Sequence, residues 1–312
     1  MDRRIEYIID DSSAGKTVKD FLLDLNYSSQ NLTDLKKAED GIFHNGSRAY
    51  VTETLEAGDT VTVNIHDSHS SEKIPPVEME LDIVYEDEDV VIVNKPADMP
   101  THPSMNNYEN TLANGLAHYY AKQGKEFVFR SINRLDRNTT GLVLIAKNAV
   151  SGAMLSGQVR EGIIKKEYVA ITQGRIDVDD LCAKYPDGIK GIDDTHFTIN
   201  APIARVEGST IKRRVHESGE RAVTHVRVFR KSENASVVIC DLETGRTHQI
   251  RVHMSHIGHP LLGDGMYNPD NKDMTRQALH CRSIGFVQPI TGEYMEISIP
   301  LADDMLEVVS KM

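Results

Sequence analysis

Three stretches of this 312-residue chain carry side chains able to do chemistry. In "SINRLDRNTTGLVLIAKN", Ser131 to Asn148, a polar run with Arg134, Asp136 and Arg137 feeds directly into an apolar run. Guanidinium groups beside a carboxylate favour its charged form. A charged carboxylate held in place can act as a nucleophile or stabilise positive charge. A turn alone needs only Gly, Asn or Asp. A salt-bridged surface loop accounts for the same residues equally well.

The second stretch, "ETGRTHQIRVHMSHIGHPLLGD", runs from Glu243 to Asp264. Arg246 falls at the expected start of a helix, with His248 and Arg251 about one turn apart. Together they could form a cationic, hydrogen-bonding edge at a helix N-terminus, suited to phosphate or carboxylate. His248, His253, His256 and His259 raise the question of a metal, but no Cys and no HExxH pattern accompanies them, so no metal site is expected. The third stretch, "IKKEYVAI", places Lys165, Lys166 and Tyr168 at the start of a strand. A tyrosine there is ordinarily a packing residue; beside an acid and an arginine it could instead stack on a planar substrate. No P-loop, GxGxxG, GxSxG or HExxH pattern occurs, which removes support for nucleotide hydrolysis, hydride transfer and serine hydrolysis.

These residues need elements to hold them. "GLVLIAKN" reads as a buried strand behind the Asp136 loop, and "LDIVYEDEDVVIVNKP" as a strand pair around an acidic turn. "NTLANGLAHYYAK" suits a helix capped by Asn110. "AVSGAMLSGQVREG" puts Val150, Met154, Leu155 and Val159 on one helical face, stopped by Gly162. "VTHVRVFR" and "ASVVICDLET" read as strands, and "RTHQIRVHMSHIG" as a helix with Ile250, Met254 and Ile257 inward. Residues 177–200 show no period and read as an irregular insertion. Nearer the N-terminus, residues 15–26 and 31–39 read as helices, "GIFHNGSRAYV" as a hairpin turning at Asn45-Gly46, and 60–65 as a half-buried strand. "HDSHSSEKIPPVEME" reads as a linker. Strands from distant segments with irregularly placed helices indicate an α+β fold with a mixed sheet, not a doubly wound one.

Hydrophobic residues make up 39% of the chain and charged residues 26%, ordinary for a water-soluble protein. No apolar run approaches a membrane span, and "MDRRIEYIIDD" has no signal-peptide core, so no membrane partner and a cytoplasmic location are expected. Three scattered cysteines indicate neither a zinc ribbon nor a disulfide framework. The net charge of −12 speaks against a nucleic-acid partner. Its distribution weakens that objection: residues 1–100 carry 9 Lys/Arg against 22 Asp/Glu, and the other 212 carry 26 against 25. Local basic clusters there can still bind phosphate.

Taken in order, the motifs resemble the RluA-type family of RNA pseudouridine synthases. "VYEDEDVVIVNKPADMPTHPS" is similar to the family's opening strand pair, "RLDRNTTGLVLIAK" to its central motif, and "KKEYVA", "GRTHQIRVHMSHIGHPLLGD" and "LHCRSIGF" to those that follow. The resemblance covers about residues 79–301. It implies a catalytic domain at 79–312 built on a mixed, largely antiparallel sheet with flanking helices and a central cleft. It implies that Asp136 is the catalytic aspartate, that Tyr168 packs against the target base, that Arg251 pairs with the Asp136 carboxylate, and that Arg134 helps displace the uridine. Leu135, Thr140, Lys166, Arg246 and His248 are expected around the substrate, and no cofactor is expected. The chain departs from the pattern at Asn133, where His is usual, at Thr140 for Ser, and at Cys281 for Ala.

Residues 1–66 resemble the small S-four-like RNA-binding module shared with a ribosomal small-subunit protein, joined by a linker at 67–78. Lys16, Lys19, Lys36, Lys37 and Arg48 would form its RNA face. The resemblance implies an isomerase acting on structured RNA, with large-subunit ribosomal RNA the favoured substrate and transfer RNA the alternative, working as a monomer. Two other classes remain on these residues: a non-catalytic RNA-binding protein with the same fold, and a metal-dependent hydrolase using the histidines.

Overall fold

The computed structural model describes residues 2–67, 74–104 and 107–312. The N-terminal unit contains β1 (Asp2–Ile8), α1 (Val18–Asp24), α2 (Ser29–Lys37), β2 (Ile42–His44), β3 (Ser47–Arg48) and β4 (Thr60–His66), with its strands in the order β1-β4-β2-β3. Asn45 and Gly46 turn the hairpin with φ of 50° and 79°, the doubly left-handed geometry these two residues tolerate. The second helix starts earlier than its apolar period suggests. Ser28 and Asn31 form a reciprocal capping box that satisfies two helix-end donors. β1 was not anticipated, because only Ile5 of its seven residues is fully buried.

This unit does not hang on a free tether. Its apolar core, built on Phe21, Leu22, Val61 and Val63, continues into Val150 and Met154 of a helix in the main body. Arg3 donates to both carboxylate oxygens of Asp89 at 3.2 and 3.1 Å, and Arg130 to those of Asp67 at 2.8 and 2.9 Å. Of the expected linker, residues 68–73 lie outside the described residues. Pro75 and Val77 bond to Asn114.

The main body contains β5 (Asp82–Glu86), β6 (Val90–Lys95), α3 (Leu112–Ala121), β7 (Arg130–Ser131), β8 (Thr140–Ala146), α4 (Ala149–Arg160), β9 (Lys165–Gln173), α5 (Val178–Lys184), β10 (Ile189–Gly191), β11 (His196–Asn200), β12 (Ile203–Arg205), β13 (Arg213–Val215), β14 (Val223–Lys231), β15 (Ala235–Leu242), α6 (Gln249–His256), β16 (Leu279–Val287), β17 (Tyr294–Ser298) and α7 (Asp303–Ser310). Eleven strands form one sheet with a backbone order β10-β11-β14-β15-β9-β16-β8-β6-β5. Every pairing in it is antiparallel except that of β16 with β8.

Four sequence expectations need correction. Residues 177–200 are not irregular: they form α5, β10 and β11, which extend the sheet. The cap of α3 is Thr111, not Asn110, in a second capping box with Asn114. Val159 is not on the buried face of α4 but exposed, lining an open cleft. The last motif helix starts at Gln249 rather than Arg246.

One row across the sheet fixes the geometry of the centre. Lys95 of β6 pairs with Gly141 of β8, Gly141 with Cys281 of β16, Cys281 with Tyr168 of β9, and Tyr168 with Cys240 of β15. Gly141 has a φ of 110°, and a Cβ there would lie 2.2 Å from the Cys281 carbonyl oxygen. Only glycine lets β8 approach β16 this closely.

Two buried histidines brace the body. His253 Nε2 donates to the Ala201 carbonyl at 2.9 Å, so its Nδ1 accepts from Thr224. His280 Nε2 donates to the Pro300 carbonyl at 3.1 Å, so its Nδ1 accepts from Thr140. Burial pushes both imidazoles down to about 4. The unfolded chain, with imidazoles near 6.5, therefore binds more protons between these values. Stability from the pair is full above about pH 6.5 and is lost as pH falls toward 4. Thermal melts should show the midpoint dropping across that window, with a shallower slope in His253→Gln.

Candidate active site

The Asp136 loop joins β7 to β8 and lies over the row just described. It is irregular, so its polar backbone must find partners elsewhere. Thr101 Oγ1 donates to the Leu135 carbonyl at 3.0 Å, and the Thr139 amide donates to the Asp136 carbonyl at 3.0 Å. Asn133 Nδ2 donates to the Leu142 carbonyl and its Oδ1 accepts from the Leu144 amide, which ties the loop's start to β8. The buried Leu135 side chain anchors the loop in the main core. Asp136 is thereby presented to an open cleft of about 960 Å³.

On the opposite wall α6 carries Arg251, which is 6% exposed. Its Nη1 donates to Asp136 Oδ2 at 2.9 Å, and its Nε and Nη2 donate to Asp264 at 2.7 and 2.8 Å. Asp264 is fully buried and also accepts from the Met266 and Tyr267 amides. Burial opposes the charge on Arg251, yet its bonds to Asp264 and Asp136 raise its pKa. Burial likewise opposes charge on Asp264, and the Arg251 bonds hold it below the usual carboxylate range. Two carboxylates thus share one guanidinium, and only the Asp136 end faces the cleft. The Tyr267 ring lies 5.1 Å from the guanidinium carbon.

His248 completes this wall. It precedes α6 in a left-handed conformation, φ 59° and ψ 21°. The Tyr267 hydroxyl accepts from the Arg213 amide and is hydrogen-bonded to His248 Nδ1 at 3.0 Å. Nε2 lies 3.8 Å from Asp136 Oδ2. Burial lowers the pKa of His248, against the pull of Asp136. The remaining histidines do not converge with it. His253 is buried under β14, His256 packs on Tyr185 at 5.4 Å, and His259 bonds the Gln173 carbonyl.

The floor is formed by β9. Tyr168 and Lys166 line the cleft, and burial pushes the Tyr168 phenol well above its ordinary value, keeping it neutral. Burial also lowers the Lys166 ammonium, which pairs with no carboxylate among the described residues. Arg134, exposed at the rim, has no ion-pair partner among the described residues. Arg246 lines the cleft and pairs with Glu220. Arg137 pairs with Asp98 on the surface at 2.7 Å.

Of the expected site residues, Asp136, Tyr168, Arg251, Arg134, Leu135, Lys166, Arg246 and His248 come together around one cleft. Thr140 does not: it is buried behind the loop, donating to His280, and neither its hydroxyl nor that of Thr139 bonds the loop's backbone. The sequence did not single out Lys95, Asp264 or Tyr267. Lys95 is fully buried, with Nζ donating to the Pro96, Met99 and Arg137 carbonyls at 2.7, 2.8 and 3.1 Å. Burial pushes its ammonium down to about 7, while the three carbonyls favour its charged form.

Residues 89–256 match the family described as RNA pseudouridylate synthase. The chain is 35% identical over 293 residues to the uncharacterised RNA pseudouridine synthase YjbO of Bacillus subtilis (strain 168), covering 94% of this chain and 98% of that protein. It is 34% identical over 274 residues to ribosomal large subunit pseudouridine synthase D of Escherichia coli (strain K12), covering 83% of this chain and 78% of that protein. The solved structure of human RNA pseudouridylate synthase domain containing 1 aligns with a TM-score of 0.55 at 24% identity, covering 74% of this chain and 94% of that one, a likeness of fold. The chain belongs to the RNA pseudouridylate synthase family, among its RluA-type members, and is an isomerase that converts uridine in RNA to pseudouridine.

Proposed function

We propose that this enzyme modifies uridine in large-subunit ribosomal RNA, with Asp136 as the carboxylate that acts on the target ribose. In the reaction the bond from ribose C1′ to uracil N1 breaks, the ring turns, and C5 bonds to C1′. C5 gives up a proton and N1 gains one, so no oxidant or energy source is consumed. A carboxylate in this place can attack C1′ or remove a ribose proton; either route needs it charged and close to the sugar. The observation that carries the assignment is the Asp136–Arg251–Asp264 arrangement at the cleft wall.

The base must leave its stack to reach that carboxylate, at a cost of roughly a few kcal/mol. The Tyr168 ring can recover about 1–3 kcal/mol of it by stacking. Arg134, exposed at the cleft rim, would fill the space the base vacates. Lys166, Arg246 and the His248 imidazole supply polar groups for phosphate, sugar and base. Residues 1–66 serve as an S-four-like RNA-binding unit, 67–78 as its connection and 79–312 as the catalytic domain. Lys36 and Lys37 end α2 beside Arg48, whose guanidinium reaches the Ala38 carbonyl, and these three give the unit a basic edge. The protein works as a monomer in the cytoplasm; among the described residues no helix is long and apolar enough to cross a membrane.

Purified enzyme incubated separately with unmodified large-subunit ribosomal RNA and with bulk transfer RNA transcripts tests the substrate. Pseudouridine should form at discrete positions in the ribosomal RNA and with a rate that falls as salt rises. Formation in transfer RNA alone would move the substrate to that class.

A further inference from the structure

The backbone carbonyls of the Asp136 loop are captured one after another. Leu135 is held by Thr101, Asp136 by the Thr139 amide, and Arg137 by Lys95 and the Met99 amide. The next carbonyl, that of Asn138, accepts from Arg276 Nη1 at 3.3 Å. This last support is of a different kind, because Arg276 is itself held by a remote segment. Its Nε and Nη2 each donate to Asp304 at 2.7 Å, a bidentate charged fork. Its Nη1 also donates to the Gln277 and Leu279 carbonyls. Arg276 is 6% exposed.

Asp304 lies in the first turn of α7, the C-terminal helix. Its neighbour Met305 is fully buried in the small core that includes Val169 and Ile171 of β9. That core therefore fixes where Asp304 sits, Asp304 fixes the guanidinium, and the guanidinium meets the loop two residues beyond Asp136. Gln277 Nε2, donating to Thr139 Oγ1 at 3.3 Å, adds a parallel contact from the same segment.

We propose that Arg276, locked by Asp304 of the C-terminal helix, is a positioning residue for the Asp136 loop, so that a helix outside the cleft sets how well the carboxylate is aimed. This rests on the reading that Asp136 is the reacting carboxylate. The physical ground is that reacting groups must be held near attack geometry, and a displacement of about 1 Å can cost on the order of 10²-fold in rate. Neither Arg276 nor Asp304 touches the cleft, so substrate affinity does not depend on them.

The test uses the full chain carrying Asp304→Asn, which keeps the shape of a half-exposed side chain and removes its charge. Single-turnover kcat should fall about ten- to hundredfold, while RNA Kd stays within about twofold. Amide hydrogen exchange should quicken at residues 136–140 and stay unchanged in 142–146 of β8. Asp304→Glu, which retains the carboxylate, should recover much of the rate. An unchanged kcat overturns the proposal. So does a loss of rate that comes with weaker RNA binding and faster exchange throughout β8, since that is a general loss of structure. Asp136→Asn, run alongside, separates the two levels: if it is inactive and Asp304→Asn is normal, only the brace fails. If it is active, the reading beneath the brace fails as well.

Discussion

Asp136→Asn should bind RNA as tightly as the parent and form no measurable pseudouridine, a rate loss on the order of 10⁴-fold or more. The substitution is nearly isosteric. The amide oxygen can still accept from Arg251 Nη1, which lies 2.9 Å from the present carboxylate. The loop's own supports act on its backbone, at Leu135, Asp136, Arg137 and Asn138, so they survive. What is lost is the negative charge facing the cleft, and with it both attack on the sugar and removal of a sugar proton. Binding should persist because Arg134, Lys166 and Arg246 are untouched. Pseudouridine counts from digested RNA, paired with an equilibrium binding titration, check this directly.

Arg251→Ala should be damaging in two ways. It leaves Asp264 fully buried with two backbone amides but no cation. Breaking a buried pair from one side costs about 3–5 kcal/mol of stability. It also removes the donor that orients Asp136, so turnover should fall further than RNA affinity. Arg251→Lys separates the effects. A lysine keeps a positive charge but cannot bridge Asp264 and Asp136 with a planar fork. It should recover part of the stability and little of the turnover. Chemical denaturation and a kcat-against-Kd comparison measure both; equal losses in turnover and affinity would make Arg251 a phosphate clamp instead.

The parts of this molecule that were legible in sequence are those where charge and period coincide. Asp136 stood out because a charged run met a buried strand, and β8 is buried along its whole length. Arg251 stood out as a cation spaced one turn from His248 in an apolar helix pattern, although 115 residues separate it from Asp136. What escaped was set by tertiary contact. Lys95, ending an apolar strand before a proline, reads as a residue that reaches water; three carbonyls from two different loops enclose it instead. Asp264 closes a quoted motif, yet nothing local shows that it shares Arg251 with Asp136. Thr140 reads as a site residue and instead faces His280, because Gly141 pulls the start of β8 against β16. Residues 177–200 hold a seven-residue helix and strands of three and five residues, each too short to show a period. Val159 kept the helical period, yet it faces the open cleft and not the core.

If Asp136 performs the chemistry in this cleft, loss of hydrogen from the target base must depend on it. Release of tritium from RNA labelled at uridine C5 reports it most directly, because that hydrogen leaves when C5 bonds to the ribose. With saturating enzyme, the parent should release one tritium for each pseudouridine formed. Asp136→Asn, at concentrations where RNA binding is shown to be complete, should release none. Release by Asp136→Asn at the parent's rate would exclude Asp136 as the reacting carboxylate.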